Sequence, residues 1–314
     1  MPRRILLFFA LALASCGDVA PDADSEDARA GDTDVADAAS ADGGLEVGSD
    51  TGAGEPTMPL CSALNTCEAD ALSCRPLFGR PAANTGLGEG ECGPVCACEG
   101  EAWSVPDYDQ AFVDALRAWT PVEPASPSED DPYSREPRPA PRPELFCGFI
   151  VEDRAAQTYR LETFDSLGAL EQAGARLTHT GACGTCSTLR DLAVYIGTPD
   201  LTTPVRECGL RGLSESQDAA RACLEEIGFS SACADTWGYN AAHTAVVCLS
   251  DCLALLDAPF HTEDGAPNAC IQCDEAQSGP VFKAVAGRTR RNSGLPTALC
   301  RPCDTVAAIS HSLP

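Results

Sequence analysis

The sequence predicts an α+β fold: a mainly helical, disulfide-rich domain with a small antiparallel sheet, preceded by a small cysteine-rich module and a disordered linker. Three observations carry this expectation. The chain holds 19 cysteines in 314 residues, more than a protein without crosslinks normally carries. Only three short segments, Phe146–Val151, Thr158–Phe164 and Arg176–Thr180, read as strands. Beyond Ser214, apolar residues recur mostly at helical spacing.

In chain order, Arg3 and Arg4 precede an apolar run from Ile5 to Ala14 and then small residues. Residues 1–15 therefore read as a secretory signal, and the run is too short to span a bilayer. Its end, Leu13-Ala14-Ser15-Cys16, resembles the lipobox of bacterial lipoproteins. The resemblance implies cleavage before Cys16, acyl chains on its sulfur and new amino terminus, and a membrane partner reached through that lipid. Gly17 rather than Asp after the lipid cysteine fits sorting to the outer membrane, so the expected location is the cell envelope, periplasmic or surface-exposed.

Residues 17–57 hold 12 acids and one Arg with almost no apolar side chain. Such a segment cannot offset its ordering entropy and is expected to be a disordered stalk, residues 16–57 with the anchor. The whole chain carries a formal charge of -26. That excludes nucleic acid as a partner, since binding it needs clustered Lys and Arg, and it opposes lying flat on anionic lipid.

Residues 58–104 carry Cys61, Cys67, Cys74, Cys92, Cys96 and Cys98 with few large apolar residues. A segment so poor in core needs staples, about three of them, internal or shared with the residues C-terminal to it. Residues 105–145 read as one amphipathic helix, Asp107–Trp119, followed by a strap with eight prolines between Thr120 and Phe146. The main domain is expected over 146–314. Its helices are Ser166–Arg176, Arg190–Ile196 with Ser187 or Thr188 as its cap, Ser214–Gly228 with a Ser214/Gln217 capping box, Ser231–Asp257, Asn268–Gly287 and Asp304–Ser310. On the longest, Cys233, Trp237, Asn240, Thr244, Cys248, Asp251, Cys252 and Leu255 share a face. That face either packs on the domain and is stapled there, or presents Cys248 and Cys252 to a metal.

Three groups of residues are candidates for chemistry. The first is His179-Thr-Gly-Ala-Cys183-Gly-Thr-Cys186-Ser-Thr188, where Cys186 lies beside a helix N-terminus that favours a thiolate. Cys183-Gly-Thr-Cys186 resembles the redox motif of thioredoxin-like oxidoreductases, although no βαβ pattern surrounds it. Gly181-Ala-Cys183-Gly-Thr-Cys186 resembles the nucleophile loop of papain-like peptidases, with His243 as base; Thr180 stands where that family has glutamine, and no aromatic follows Cys186. The third reading is that both cysteines are bridged. Without Cys16, eighteen cysteines remain, an even number that suits complete pairing.

The second group is Cys270-x-x-Cys273 and Cys300-x-x-Cys303, zinc-like in a reducing compartment but expected to oxidise outside it. No metal site and no cofactor are expected. The third group is Lys283 with Arg288, Arg290 and Arg291, the one concentration of positive charge in the acidic chain. It either cradles a small anionic ligand or pairs with the domain's own carboxylates. Residues 146–311 also resemble an uncharacterised cysteine-rich module of secreted and surface proteins, which implies a compact crosslinked domain and no activity. The combined expectation is a lipid-anchored envelope protein that binds a ligand or protein partner or serves structurally. The alternatives are a thiol enzyme using Cys183 and Cys186, or a metal-binding protein using the Cys-x-x-Cys pairs.

Overall fold

A computed structural model describes residues 77–98, 101–128 and 130–314. The signal, Cys16, the acidic linker and the first three cysteines of the small module lie outside the described residues. All described residues belong to one compact unit, and the fold is α+β and mainly helical.

The centre is a sheet of β5 (Thr120–Pro121), β6 (Phe146–Asp153), β7 (Thr158–Phe164) and β8 (Arg176–Thr180), in the order β5-β7-β6-β8. β6 and β7 form a hairpin with Phe146 opposite Phe164, and β8 pairs antiparallel on the other side of β6. The sheet is antiparallel except at its edge, where β5 runs parallel to β7. This edge strand arises because the chain leaving helix α1 (Gln110–Arg117) turns straight into the sheet. Asp109 caps α1 by accepting from the Phe112 amide at 2.8 Å, which starts the helix later than the apolar spacing suggested. Val113 and Leu116 of α1 are buried. Each such side chain contributes roughly 1.5–3 kcal/mol.

Helix α2 (Leu167–Gln172) links β7 to β8. The remaining helices cover the sheet and one another: α3 (Leu189–Gly197), α4 (Thr202–Ser214), α5 (Gln217–Ile227), α6 (Ser231–Val247), α7 (Leu249–Ala254), α8 (Ala269–Gln277) and α9 (Gly279–Ala286). The main core joins Phe149 and Tyr159 of the sheet to Leu189, Leu192, Leu224 and Phe229. The Tyr159 hydroxyl accepts from the Leu189 amide at 2.9 Å, pinning the start of α3 to the sheet.

Several helices differ from expectation, each for a local reason. Ser214 ends α4, and Ser216 is the cap of α5, accepting from the Ala219 amide. The long helix breaks at Cys248 and the next breaks at Ser278. Only one 3₁₀ turn, Cys303–Thr305, forms where a last helix was expected. α4 was not expected, because its Gly209 and Gly212 weaken the helical signal. Both glycines sit where a Cβ would collide, with Ala241 and Ala220 respectively.

Among the described residues, fourteen cysteines form seven disulfides. Cys92–Cys300 and Cys96–Cys303 clamp β2 (Cys92–Gly93) and β3 (Val95–Cys98) to the last segment of the chain. β3 pairs with β4 (Glu101–Ser104), and Phe78 of β1 (Leu77–Phe78) packs with Val105, Trp103 and Val306 in a small core of its own. Cys248–Cys273 and Cys252–Cys270 form a second double staple, joining the break after α6 and helix α7 to α8. The crosslinks indicate a stabilised protein of an oxidising, extracytoplasmic compartment. Among the described residues no helix is long and apolar enough to cross a membrane.

Candidate functional site

The cysteine loop between β8 and α3 does not form a redox pair. Cys183 is bonded to Cys147 of β6, and Cys186 to Cys233 of α6. Gly184 explains the spacing: a Cβ there would meet the Val285 carbonyl at 2.3 Å and the Gly287 amide at 2.6 Å. The loop lies flat on the end of α9, with the Thr185 and Cys186 amides donating to the Val285 and Ala286 carbonyls at 2.9 Å each. Cys-Gly-Thr-Cys is thus a close-approach turn whose two sulfurs staple in opposite directions. This corrects the thiol-enzyme alternative, because neither cysteine carries a thiolate in this state.

His179 is fully buried and lies 2.7 Å from Ser187 Oγ, while its Nδ1 donates to the Thr180 carbonyl at 2.9 Å. The Ser187 hydroxyl therefore donates to Nε2. That order is the hydrogen-bond order of a serine–histidine pair, but Ser187 is also fully buried and no substrate reaches it. Burial, and then the Arg288 charge, hold the imidazole well below its usual value, so it is neutral. His243, the base that the peptidase resemblance implies, lies on α6 and bonds Ser278 instead.

The basic cluster is also corrected: it does not form an anion site. Arg288 is wholly buried, and its guanidinium donates to the Cys186, Thr178 and Ser187 carbonyls and to Ser293 Oγ, at 3.0–3.2 Å. Burial lowers it to about 10, so it stays charged at neutral pH. Arg290 donates to the Tyr195, Pro296 and Thr198 carbonyls and sits over the Tyr195 ring. Arg291 pairs with Glu275, which also holds Arg301. Lys283 is half-buried, its amine lowered by burial and by Arg291. The arginines are internal pillars because loops ending inside the domain leave carbonyls that only a multi-donor cation can satisfy together.

The Cys-x-x-Cys pairs are likewise consumed: Cys270 and Cys273 by α7 and the residue before it, Cys300 and Cys303 by the first sheets. Among the described residues no three His, Cys, Asp or Glu side chains converge as metal ligands.

Two polar centres were missed in the sequence. Asp191 is fully buried and accepts from Thr188 Oγ1, the Ser230 amide at 2.8 Å and Ser230 Oγ at 2.9 Å. Thr188 and Ser230 cap α3 and α6, so one carboxylate joins two helix N-termini. The Thr188-x-x-Asp191 spacing was its available signal.

The other centre is the α6 face beneath the proline strap. Tyr133, the strap's one aromatic, stacks on the His243 ring at 4.2 Å between centroids and 15° between planes. Its hydroxyl donates to Asn240 Oδ1 at 2.7 Å, with the Ser278 carbonyl at 3.1 Å. Asn240 and Thr244 in turn donate to Asp274, and His243 Nδ1 lies 2.9 Å from Ser278 Oγ. Burial raises Asp274 and lowers His243, so the pair tends toward neutral forms. Two turns earlier on α6, Asp235 is 1% exposed. Its nearest cation is Arg221, 3.6 Å away. Burial raises this carboxyl, while Gln217 and the Ser128 backbone act in the opposite sense. The face thus holds the strap through a stacked ring and two acceptors for the Tyr133 hydroxyl, with a buried carboxylate ion-paired to Arg221 further along.

No curated protein and no solved structure matches the chain. Residues 217–309, from the start of α5 to six residues past the second clamp cysteine, match the model of a family of unknown function (DUF8771).

Proposed function

We propose that this chain is a cell-envelope lipoprotein, anchored by acyl chains on Cys16, whose crosslinked domain works by binding rather than by thiol or metal chemistry. The observation that carries the binding role is the outward pairing of every described Cys-x-x-Cys motif, which leaves those sulfurs no redox or ligand task. The anchor rests on the Leu-Ala-Ser-Cys sequence, and the acidic linker then serves as a tether of about 35 Å root-mean-square span. Two or more acyl chains hold a protein stably where one does not. Gly17 favours delivery to the outer membrane.

Mass spectrometry of the mature amino-terminal peptide, purified from membranes of its own host, tests the anchor. A diacyl- or triacylglyceryl cysteine at position 16 is expected. An unmodified amino terminus elsewhere would overturn it.

A further inference from the structure

Helix α7 buries none of its six residues. It is held on the domain by the Cys248–Cys273 and Cys252–Cys270 disulfides rather than by apolar packing. Leu249 and Leu253, one turn apart on α7, are 42% and 48% exposed, and Leu256 just beyond the helix is 48% exposed. Val246 and Val247, at the break before α7, are exposed too, Val246 by 75%. Half of the ten large apolar side chains exposed among the described residues thus fall within residues 246–256. Single exposed apolar residues are ordinary, whereas a cluster marks an interaction surface. In a chain of formal charge -26, the one charge in this stretch is Asp251, about half a turn from both helical leucines.

The end of the domain that carries these leucines is also where the chain arrives from its amino-terminal side. The Phe260 and His261 amides donate to the Asn84 and Thr85 carbonyls at 2.9 and 3.0 Å. A Cβ on Gly86 would collide with Pro259, three residues after Leu256, and one on Gly265 would touch Leu77 Cδ1 at 3.4 Å. Leu77, where the described chain begins, therefore lies beside the segment that follows α7.

We propose that the α6–α7 break and the leucines of α7 form a membrane-contact surface that seats the domain on a neutral, zwitterionic bilayer. Two disulfides fix the short helix without using its leucines, so those side chains are free to enter the headgroup and acyl boundary. Entry of the chain at the same end turns this surface toward the membrane that holds the anchor. The excess of acids repels a second copy of the chain and an anionic lipid surface alike, and a neutral bilayer escapes both penalties. The inference deepens the anchored reading given above and rests on it for the identity of the surface.

The test uses the mature chain carrying Cys16→Ser, which has no acyl chain, and phosphatidylcholine vesicles, read by flotation. Without acyl chains this outcome and the lipid analysis of Cys16 can fail separately. The Cys16→Ser chain should float with the vesicles, and adding Leu249→Ser, Leu253→Ser and Leu256→Ser should lower its partition coefficient at least tenfold. No flotation, or equal flotation of the two chains, overturns the proposal. So does a dimer in sedimentation equilibrium that the three substitutions dissolve, because a second copy would then cover the leucines. If circular dichroism shows that the leucine variant unfolds, hydrogen exchange of the Cys16→Ser chain decides. Vesicles should slow exchange over residues 246–256 at least threefold and leave α5 unchanged; no slowing, or equal slowing in α5, overturns it.

Discussion

The clamp between the first sheets and the last segment makes a quantitative prediction. Cys92–Cys300 and Cys96–Cys303 close loops of 208 and 207 residues, but the crosslinks Cys147–Cys183, Cys186–Cys233 and Cys248–Cys273 lie inside them and shorten the free path. The effective loop is about 100 residues, and closing it stabilises by about 4.7 kcal/mol in the chain-entropy description. Once one clamp bond exists, the second closes a ring of only about seven residues, worth about 2.4 kcal/mol. Replacing either pair by alanine should therefore cost about 2 kcal/mol, and replacing both about 7 kcal/mol. That second loss is comparable to the whole stability of many domains. Urea unfolding of Cys92→Ala/Cys300→Ala, of Cys96→Ala/Cys303→Ala and of the fourfold variant measures all three. A fourfold loss no larger than the sum of the two single-pair losses would refute the reasoning, as would a single-pair loss as large as the fourfold one.

Two further outcomes rest on the buried groups. Arg288→Met strands the Thr178, Cys186 and Ser187 carbonyls and should cost about 3–5 kcal/mol by denaturant unfolding; Arg288→Lys should recover less than half of that, because an ammonium cannot reproduce the fork. A loss under about 1 kcal/mol would mean the guanidinium is not a pillar. His179 and His311 are both lowered by burial, His311 to about 3. Folded-state values below the unfolded one mean the unfolded chain takes up more protons, so stability is full above the ordinary histidine range and falls on acidification through it. The slope is about 1.4 kcal/mol per pH unit for each histidine. Asp191 and Asp274, raised by burial, act in the opposite sense. His311→Gln, which keeps a donor for the Ser293 carbonyl, should remove one histidine's share of the slope below pH 6.5, up to about 1.4 kcal/mol per pH unit; equal slopes in variant and wild type would contradict this.

Much of the architecture was legible because it depends on short-range pattern. Thr158–Phe164 and Arg176–Thr180 alternate and form strands with those bounds, and the Gly228 helix stop appears with positive φ, where a side chain is strained. The helix breaks at Cys248 and Ser278 were hidden, because the apolar spacing continues through both while the Cys248–Cys273 disulfide holds the first and hydrogen bonds from His243 and Thr244 of α6 hold Ser278 at the second. The candidate sites were less legible. Arg288, Arg290 and Arg291 look alike in sequence, and only tertiary placement tells an internal carbonyl ligand from an exposed cation. Cys183 and Cys186 have redox spacing, yet their partners lie 36 and 47 residues away, a separation that no local pattern encodes. Tyr133 was visible as the lone aromatic of the strap, but its slot is assembled from α6 and Ser278, over a hundred residues later.

Where the sulfurs of the β8–α3 loop are bonded decides between a structural staple and thiol chemistry, and peptide mapping of the native, unreduced protein measures this directly. Proteolysis coupled to mass spectrometry should yield Cys147 linked to Cys183 and Cys186 linked to Cys233, with no free thiol at either loop position. Recovery of a Cys183–Cys186 bond, or alkylation of either residue without prior reduction, would contradict the outward pairing and restore thiol chemistry to this loop.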